Sequence, residues 1–374
     1  QLKLKQKYQK RAQLRLRSAI DSCIIPNQKL HSIPVGNNGA TVVKFSPDGY
    51  YIAVATAEKL MFAIKVYNSE TGQLLHVFNG HHNIIYDLDW SKDSKRLVTA
   101  SSDQTVKIWL LQQNDNNNDI HECEYSFQHS SYVYTAKFHP KARTPYLVLT
   151  GSYDGKIRIW NGKSGKCMVT LSGHHERINC LTFHKNGSQF YTADAYGLIK
   201  VWSDNVYSSS KGREESDYAY DRNVEYLGHD NTKEEWKNRF KCIRTVNLSI
   251  LRENSIHYMV FESRPERLLL YCKNDAIYSF NFLRADINVI YKGVNTMGKL
   301  LKCTTSPDGR YLVAGSADGK AYFYDLITGH LISTLNVGFK LPMFDISWHP
   351  HEHLVAFCCF GDDYPLQLFE YSKK

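Results

Sequence analysis

Residues Gly80–Trp109, GHHNIIYDLDWSKDSKRLVTASSDQTVKIW, constrain the fold more tightly than any other stretch. A Gly-His pair leads into an alternating apolar segment that closes on Trp90. A polar turn, a second apolar segment, a tight turn at Asp103 and a third segment closing on Trp109 follow. Period-two alternation rich in β-branched and aromatic residues predicts three consecutive strands. His81 precedes Trp109 by 28 positions, Thr99 precedes Asp103 by 4, and Asp103 precedes Trp109 by 6. The same layout recurs. First-strand endings fall at Phe45, Trp90, Phe138, Phe183, Phe261, Thr305 and Trp348, at steps of 45, 48, 45, 78, 44 and 43. Third-strand endings follow at Tyr67, Trp109, Trp160, Trp202, Phe280, Tyr324 and about Phe369. Turn residues recur between them: SPDG at Ser46–Gly49 and Ser306–Gly309, KNG at Lys185–Gly187, and DG at Asp154–Gly155 and Asp318–Gly319. Seven repeats are predicted.

The spacing of His81, Thr99, Asp103 and Trp109 resembles the WD-repeat family, whose unit is roughly 40–45 residues. The resemblance implies an all-β, seven-bladed WD-repeat propeller. It also implies that these four side chains hydrogen-bond to one another as a structural, non-catalytic network. Such a network is stabilising when every member is satisfied and costly when it is not. In the third repeat the corresponding residues are His129, Thr150, Asp154 and Trp160. The fourth keeps His174, Thr192 and Trp202 but has Tyr196 where Asp is expected, and the sixth has Ala314 at the hydroxyl position. Repeats 1, 5 and 7 retain mainly apolar alternation. Lys29–Gly36, KLHSIPVG, is similar to LLHVFNG at Leu74–Gly80, the outer strand of the following blade. It is therefore expected to complete the last blade and close the ring, which removes exposed edges.

Seven of the nine net positive charges lie within the first twenty residues: Lys3, Lys5, Lys7, Lys10, Arg11, Arg15 and Arg17, with no acid among them. The remainder is left at about +2, so the basic balance does not point to nucleic acid. Residues 1–23 are read as a short basic helix or arm and 24–374 as the propeller. The arm is either a solvated linker or a contact to an acidic partner, tubulin or a membrane surface. Nine cysteines without CxxC spacing read as reduced thiols. No apolar run reaches the length of a membrane helix. A start at Gln1 without an apolar leader suggests part of a longer protein.

Two insertions interrupt the spacing. Gln112–Asp119, QQNDNNND, is an Asn-rich loop. Residues 203–241, placed between blades 4 and 5, explain the 78-residue step. Within the latter, Thr232–Lys241 is expected to form a short amphipathic helix with Trp236 and Phe240 on one face. Trp236 either packs back onto the propeller or docks a partner.

Neither the HH pairs at 81–82 and 174–175 nor His349, His351 and His353 come with a third ligand at metal-site spacing, and the last three are expected to be solvated. No nucleophile with a base, Walker motif or dinucleotide motif is present in the sequence. The reading therefore predicts no catalytic residue, metal or cofactor. A binding surface remains. In a propeller the loops from each outer strand to the next blade, and from second to third strand, gather on one face. That places His82, Asn83, Ser131, Tyr132, Glu176, Arg177, Tyr196, Lys299 and Lys340 together as candidate partner contacts.

Gly80–Asp103, SSYVYTAKFHP at Ser130–Pro140 and HPHEHLVAFCCFGDDYPLQLFEY at His349–Tyr371 resemble the WD-repeat region of the jouberin family over most of residues 24–373. That resemblance implies a non-enzymatic scaffold at the ciliary basal body and transition zone, working with other proteins of a ciliary-base complex in cilium assembly and gating. The alternative is a generic WD-repeat adaptor, such as a ubiquitin-ligase substrate receptor or a trafficking-coat subunit.

Overall fold

The computed structural model describes residues 21–57, 62–111, 123–141, 146–205, 236, 238–262 and 266–372. They form seven four-stranded antiparallel sheets arranged as blades. From inner to outer strand, blade 1 comprises Ala40–Phe45, Tyr51–Thr56, Phe62–Asn68 and Leu74–His81. Blade 2 comprises Ile85–Trp90, Arg96–Ser101, Thr105–Leu110 and Tyr125–Gln128. Blade 3 has Val133–Phe138, Leu147–Ser152, Ile157–Asn161 and Cys167–Leu171. Blades 4, 5 and 6 begin at Ile178, Ile256 and Cys303 and end at Val246, Lys292 and Asn336. Each of the seven first-strand endings expected from the spacing is the last residue of an inner strand.

Blade 7 takes three strands from the C-terminal segment, Met343–Trp348, Leu354–Cys359 and Leu366–Glu370, and its fourth from Gln28–Ile33. Lys29 pairs with Phe369 and Ile33 with Leu366, so the two ends of the chain share one sheet. Cys23, just before this strand, is buried against blades 6 and 7, and its backbone N–H donates to Asp308 (2.6 Å). The predicted basic helix or arm lies outside the described residues, apart from its last three positions.

The core is not central but divided among the seven contacts between neighbouring blades. Between blades 1 and 2, Val42, Ile64, Phe78, Leu88 and Trp109 pack together. Between blades 7 and 1, Ile33, Leu354 and Leu368 meet Val43 and Ile52. Burying each blade's apolar faces against its neighbours is what makes a single blade unable to stand alone. Gly151 allows one such close approach. A Cβ there would lie 2.6 Å from Ile178 Cγ2 of the next blade.

Two expectations about the long insertion are corrected. Ser203 and Asp204 still belong to the third strand of blade 4, Ile199–Asp204, which pairs directly with Phe240–Val246. The insertion therefore lies inside blade 4, between its third and outer strands, and not between blades 4 and 5. Trp236, Asn238 and Arg239 are helical, but Phe240 already begins the outer strand. The Asn-rich loop and most of the insertion lie outside the described residues.

Candidate protein-docking face

Hydrogen bonds join His81, Thr99, Asp103 and Trp109 and tie one blade to the next. His81 ends the outer strand of blade 1, yet its partners belong to blade 2. Its Nδ1 lies 2.7 Å from Asp103 Oδ2 and its Nε2 2.7 Å from Thr99 Oγ1. Trp109 Nε1–H donates to the same hydroxyl oxygen (2.9 Å). An ionised Asp103 only accepts, so Nδ1 carries the imidazole proton and Thr99 donates to Nε2. The Thr105 hydroxyl (2.6 Å), the Thr105 N–H (2.8 Å) and the His82 N–H (3.1 Å) also donate to the carboxylate. Burial pushes the His81 pKa down, against the pull of Asp103. For Asp103, burial opposes ionisation, but the bonds from His81 and Thr105 outweigh it and hold the carboxyl below its ordinary range.

Two variants of this network differ from expectation. In blade 4, Asp194 supplies the carboxylate that Tyr196 does not: His174 Nδ1 lies 2.8 Å from Asp194 Oδ2, and Nε2 lies 2.8 Å from Thr192 Oγ1, which also accepts from Trp202 (2.9 Å). Asp194 sits at the end of its strand and still reaches the imidazole, so the acid has moved two positions without being lost. In blade 3, Asp154 and His129 are joined through Arg158. Its guanidinium is 2.6 Å from Asp154 Oδ2 and 3.3 Å from His129 Nδ1, while Trp160 Nε1–H donates to Thr150 (3.0 Å). Burial first, then the Arg158 charge, lowers the His129 pKa to about 3. Blades 5, 6 and 7 place Leu270, Ala314 and Phe357 at the hydroxyl position, all fully buried, so apolar packing replaces the network there.

His82, Asn83, Tyr132, Glu176, Tyr196, Lys299 and Lys340 are exposed, and Ser131 and Arg177 are partly so. All lie in loops at the end of the ring where one blade passes to the next or a second strand turns into a third. Tyr132 meets the equally exposed Tyr153 edge-on (6.1 Å), Tyr196 donates its hydroxyl to Glu253 (3.0 Å), and Lys340 N–H donates to Tyr364 (3.3 Å). Trp236 is not among them. It is 3 % exposed in the core between blades 3 and 4, stacked on Phe240 at 6.3 Å, because the chain must turn inward there to start the outer strand. This removes it as a docking residue. His349 is likewise buried, 2.9 Å from the Gly49 carbonyl through Nε2, and not solvated. Among the described residues no group of three or more His, Cys, Asp or Glu side chains is placed to hold a metal.

At the centre of the same face a cavity of about 290 Å³ opens into the ring. Its lining follows a rule not visible in the strand pattern. In six blades the pairing of the first two strands skips the second residue of the inner strand, and those six residues, Thr41, Tyr86, Tyr134, Asn179, His257 and Phe344, all line the cavity. A bulge leaves one residue unpaired and re-aims its side chain. Tyr86 stacks on Tyr134 at 4.9 Å, and Phe344 meets Phe360 edge-on at 6.0 Å.

Deeper, the channel holds a charge cluster assembled from distant parts of the chain. Asp87 Oδ2 accepts from Lys137 Nζ (2.6 Å) and Thr135 Oγ1 (2.8 Å). Lys302 Nζ lies 3.5 Å from Asp87 Oδ1 and from Asp345 Oδ2, and donates to the Tyr86 carbonyl (3.0 Å). Burial works against an ionised Asp87, but Lys137, Lys302 and Lys44 together hold it well below the usual carboxylate range. Burial prevails at Asp345 and raises its pKa.

Comparison with known proteins accords with this architecture. The family described as WD domain, G-beta repeat matches residues 72–109, 121–161, 165–203 and 294–325. Jouberin from Rattus norvegicus is 32% identical over 363 residues, covering 94% of this chain and 31% of its own length. The chain carries WD repeats and is related to jouberin. Jouberin from Mus musculus gives the same figures, 32% over 363 residues. Pre-mRNA-processing factor 17 of Mus musculus is more distant, at 22% over 93% of the chain. The chain thus spans about a third of the length of the jouberins it matches. Blades 1, 5 and 7, whose polar network has eroded, fall largely outside the four matched repeats.

Proposed function

We infer that the chain is a non-enzymatic scaffold that binds other proteins through the loop face described above, and that it acts as jouberin-like proteins do, at the ciliary basal body and transition zone. The observation that carries this reading is the 32% identity to jouberin across 94% of the chain. The exposed Tyr132, Tyr153 and Tyr196 around a closed rigid ring support it, since tyrosine and arginine anchors dominate protein interfaces. The basic residues Lys3–Arg17 are proposed as an auxiliary contact to an acidic partner, tubulin or a membrane surface. Localisation of a tagged chain in ciliated cells tests the proposal: enrichment at the ciliary base is expected. A diffuse signal would discard the ciliary reading in favour of a general WD-repeat adaptor.

A further inference from the structure

The funnel at the centre of the docking face is chemically two-sided. Blades 2, 3 and 7 contribute Tyr86, Tyr134, Phe344 and Phe360. On the opposite side, Asn179, His257 and Lys299 of blades 4 to 6 line the wall. Arg177 stands beside this half, its guanidinium 5.8 Å over the Tyr134 ring and its Nε–H donating to Asn179 Oδ1 (3.2 Å). Lys273 adds positive potential there, since both it and Arg177 help to depress the His257 pKa after burial. Asp275, the carboxylate that acts on His257, is engaged by Thr296 through its N–H (2.6 Å) and hydroxyl (2.7 Å). The deeper charges of Asp87, Lys137, Lys302 and Asp345 are paired with one another.

Of the buried side-chain atoms without a hydrogen bond among the described residues, His257 Nδ1 is the one that belongs to the cavity lining. His257 is 5 % exposed. A buried polar atom left unsatisfied costs free energy that a ligand group recovers. With Nδ1 carrying the imidazole proton, His257 offers a donor beside Arg177 and Lys299 in a cavity also lined by aromatic side chains, a set complementary to a carboxylate attached to an apolar body.

We propose that this funnel receives an acidic side chain, Asp or Glu, next to an aromatic or branched aliphatic residue in a linear peptide of a protein partner. The carboxylate pairs with the Lys299 and Arg177 side, and the apolar neighbour lies against Tyr86, Tyr134 and Phe344. The proposal rests on the docking-face reading above and specifies the chemistry of what docks.

Panning a phage-displayed library of random dodecapeptides on the purified 374-residue chain tests it. Enriched sequences are expected to share an acidic residue adjacent to an apolar one. As fluorescein-labelled synthetic peptides, they are expected to bind at least tenfold more weakly to Lys299→Glu, whose exposed position leaves the fold intact, and to Tyr134→Ala, with Lys299→Arg retaining binding. Changing the peptide's Asp or Glu to Asn or Gln should cause a similar loss. No enrichment, a consensus without an acid, or binding indifferent to Lys299→Glu overturns the proposal. Acid-free peptides that lose binding with Tyr132→Ala or Tyr196→Ala would refute this chemistry while leaving the docking face standing.

Discussion

Thr99 is the hub of the polar tie between blades 1 and 2, and replacing it separates hydrogen bonding from packing. Thr99→Val keeps the side-chain shape at a position with no exposed surface but removes the one atom that serves both Trp109 Nε1–H and His81 Nε2. Each buried group left unpaired costs about 1–3 kcal/mol, which gives roughly 2–5 kcal/mol for the pair after the gain from the added methyl. For a cooperative unit of 374 residues the unfolding entropy is about 0.8 kcal/mol per kelvin. The loss in Tm is therefore roughly 3–6 °C. Thr99→Ser retains the hydroxyl and gives up one methyl, about 1 kcal/mol. Scanning calorimetry of the two variants side by side is the assay. Thr99→Val must unfold below Thr99→Ser. If the serine variant is the less stable, packing and not the shared hydroxyl holds this junction, and the reasoning fails.

Asp194→Ala is expected to destabilise blade 4 by about 2–3 kcal/mol in urea unfolding, because His174 loses its acceptor. Adding Tyr196→Asp, which puts a carboxylate at the position Asp103 holds in blade 2, should recover part of the loss. Lys302→Met leaves Asp87 and Asp345 short of a cation in a buried site and should cost about 3–5 kcal/mol, with Asp345→Asn recovering part of it. Stability should fall as pH drops from about 6.5 toward 4. His129 and His257, lowered to about 3 and about 4 in the folded chain, refuse protons that the unfolded chain binds. Each contributes about 1.4 kcal/mol per pH unit in that window. His257→Phe should flatten the slope of unfolding midpoint against pH by one proton; an unchanged slope would contradict the burial of this imidazole. Below about pH 3.8, protonation of Asp87 and Asp103, both held low in the fold, should steepen the loss again.

Much of the ring is legible because each blade is local. Trp90, Phe138 and Phe183 end their strands where the alternation stops, and the similarity of Lys29–Gly36 to Leu74–Gly80 betrays the closing strand. What the sequence hides depends on pairing partners. Six of the residues that line the funnel are those skipped by a register shift, and nothing in IYDLDW alone says that Tyr86 is the unpaired one. The channel cluster joins Lys302 with Asp87 and Asp345, which only ring closure brings together. Asp194 was hidden by a fixed-offset expectation: a carboxylate two residues early, at the end of a strand, reaches the same imidazole as one in the turn. For Trp236 the polar composition of the insertion leaves packing and docking equally open. The strand it precedes draws it into the core between blades 3 and 4.

Proximity labelling in ciliated cells with the intact chain and with a Tyr132→Ala, Arg177→Gln, Tyr196→Ala variant addresses the role of the loop face most directly. The variant should keep the thermal stability of the parent, because all three side chains lie at the exposed or partly exposed loop end. It should lose a defined subset of labelled proteins at the ciliary base. A labelled set identical to the parent's would show that partners are recognised elsewhere on the ring.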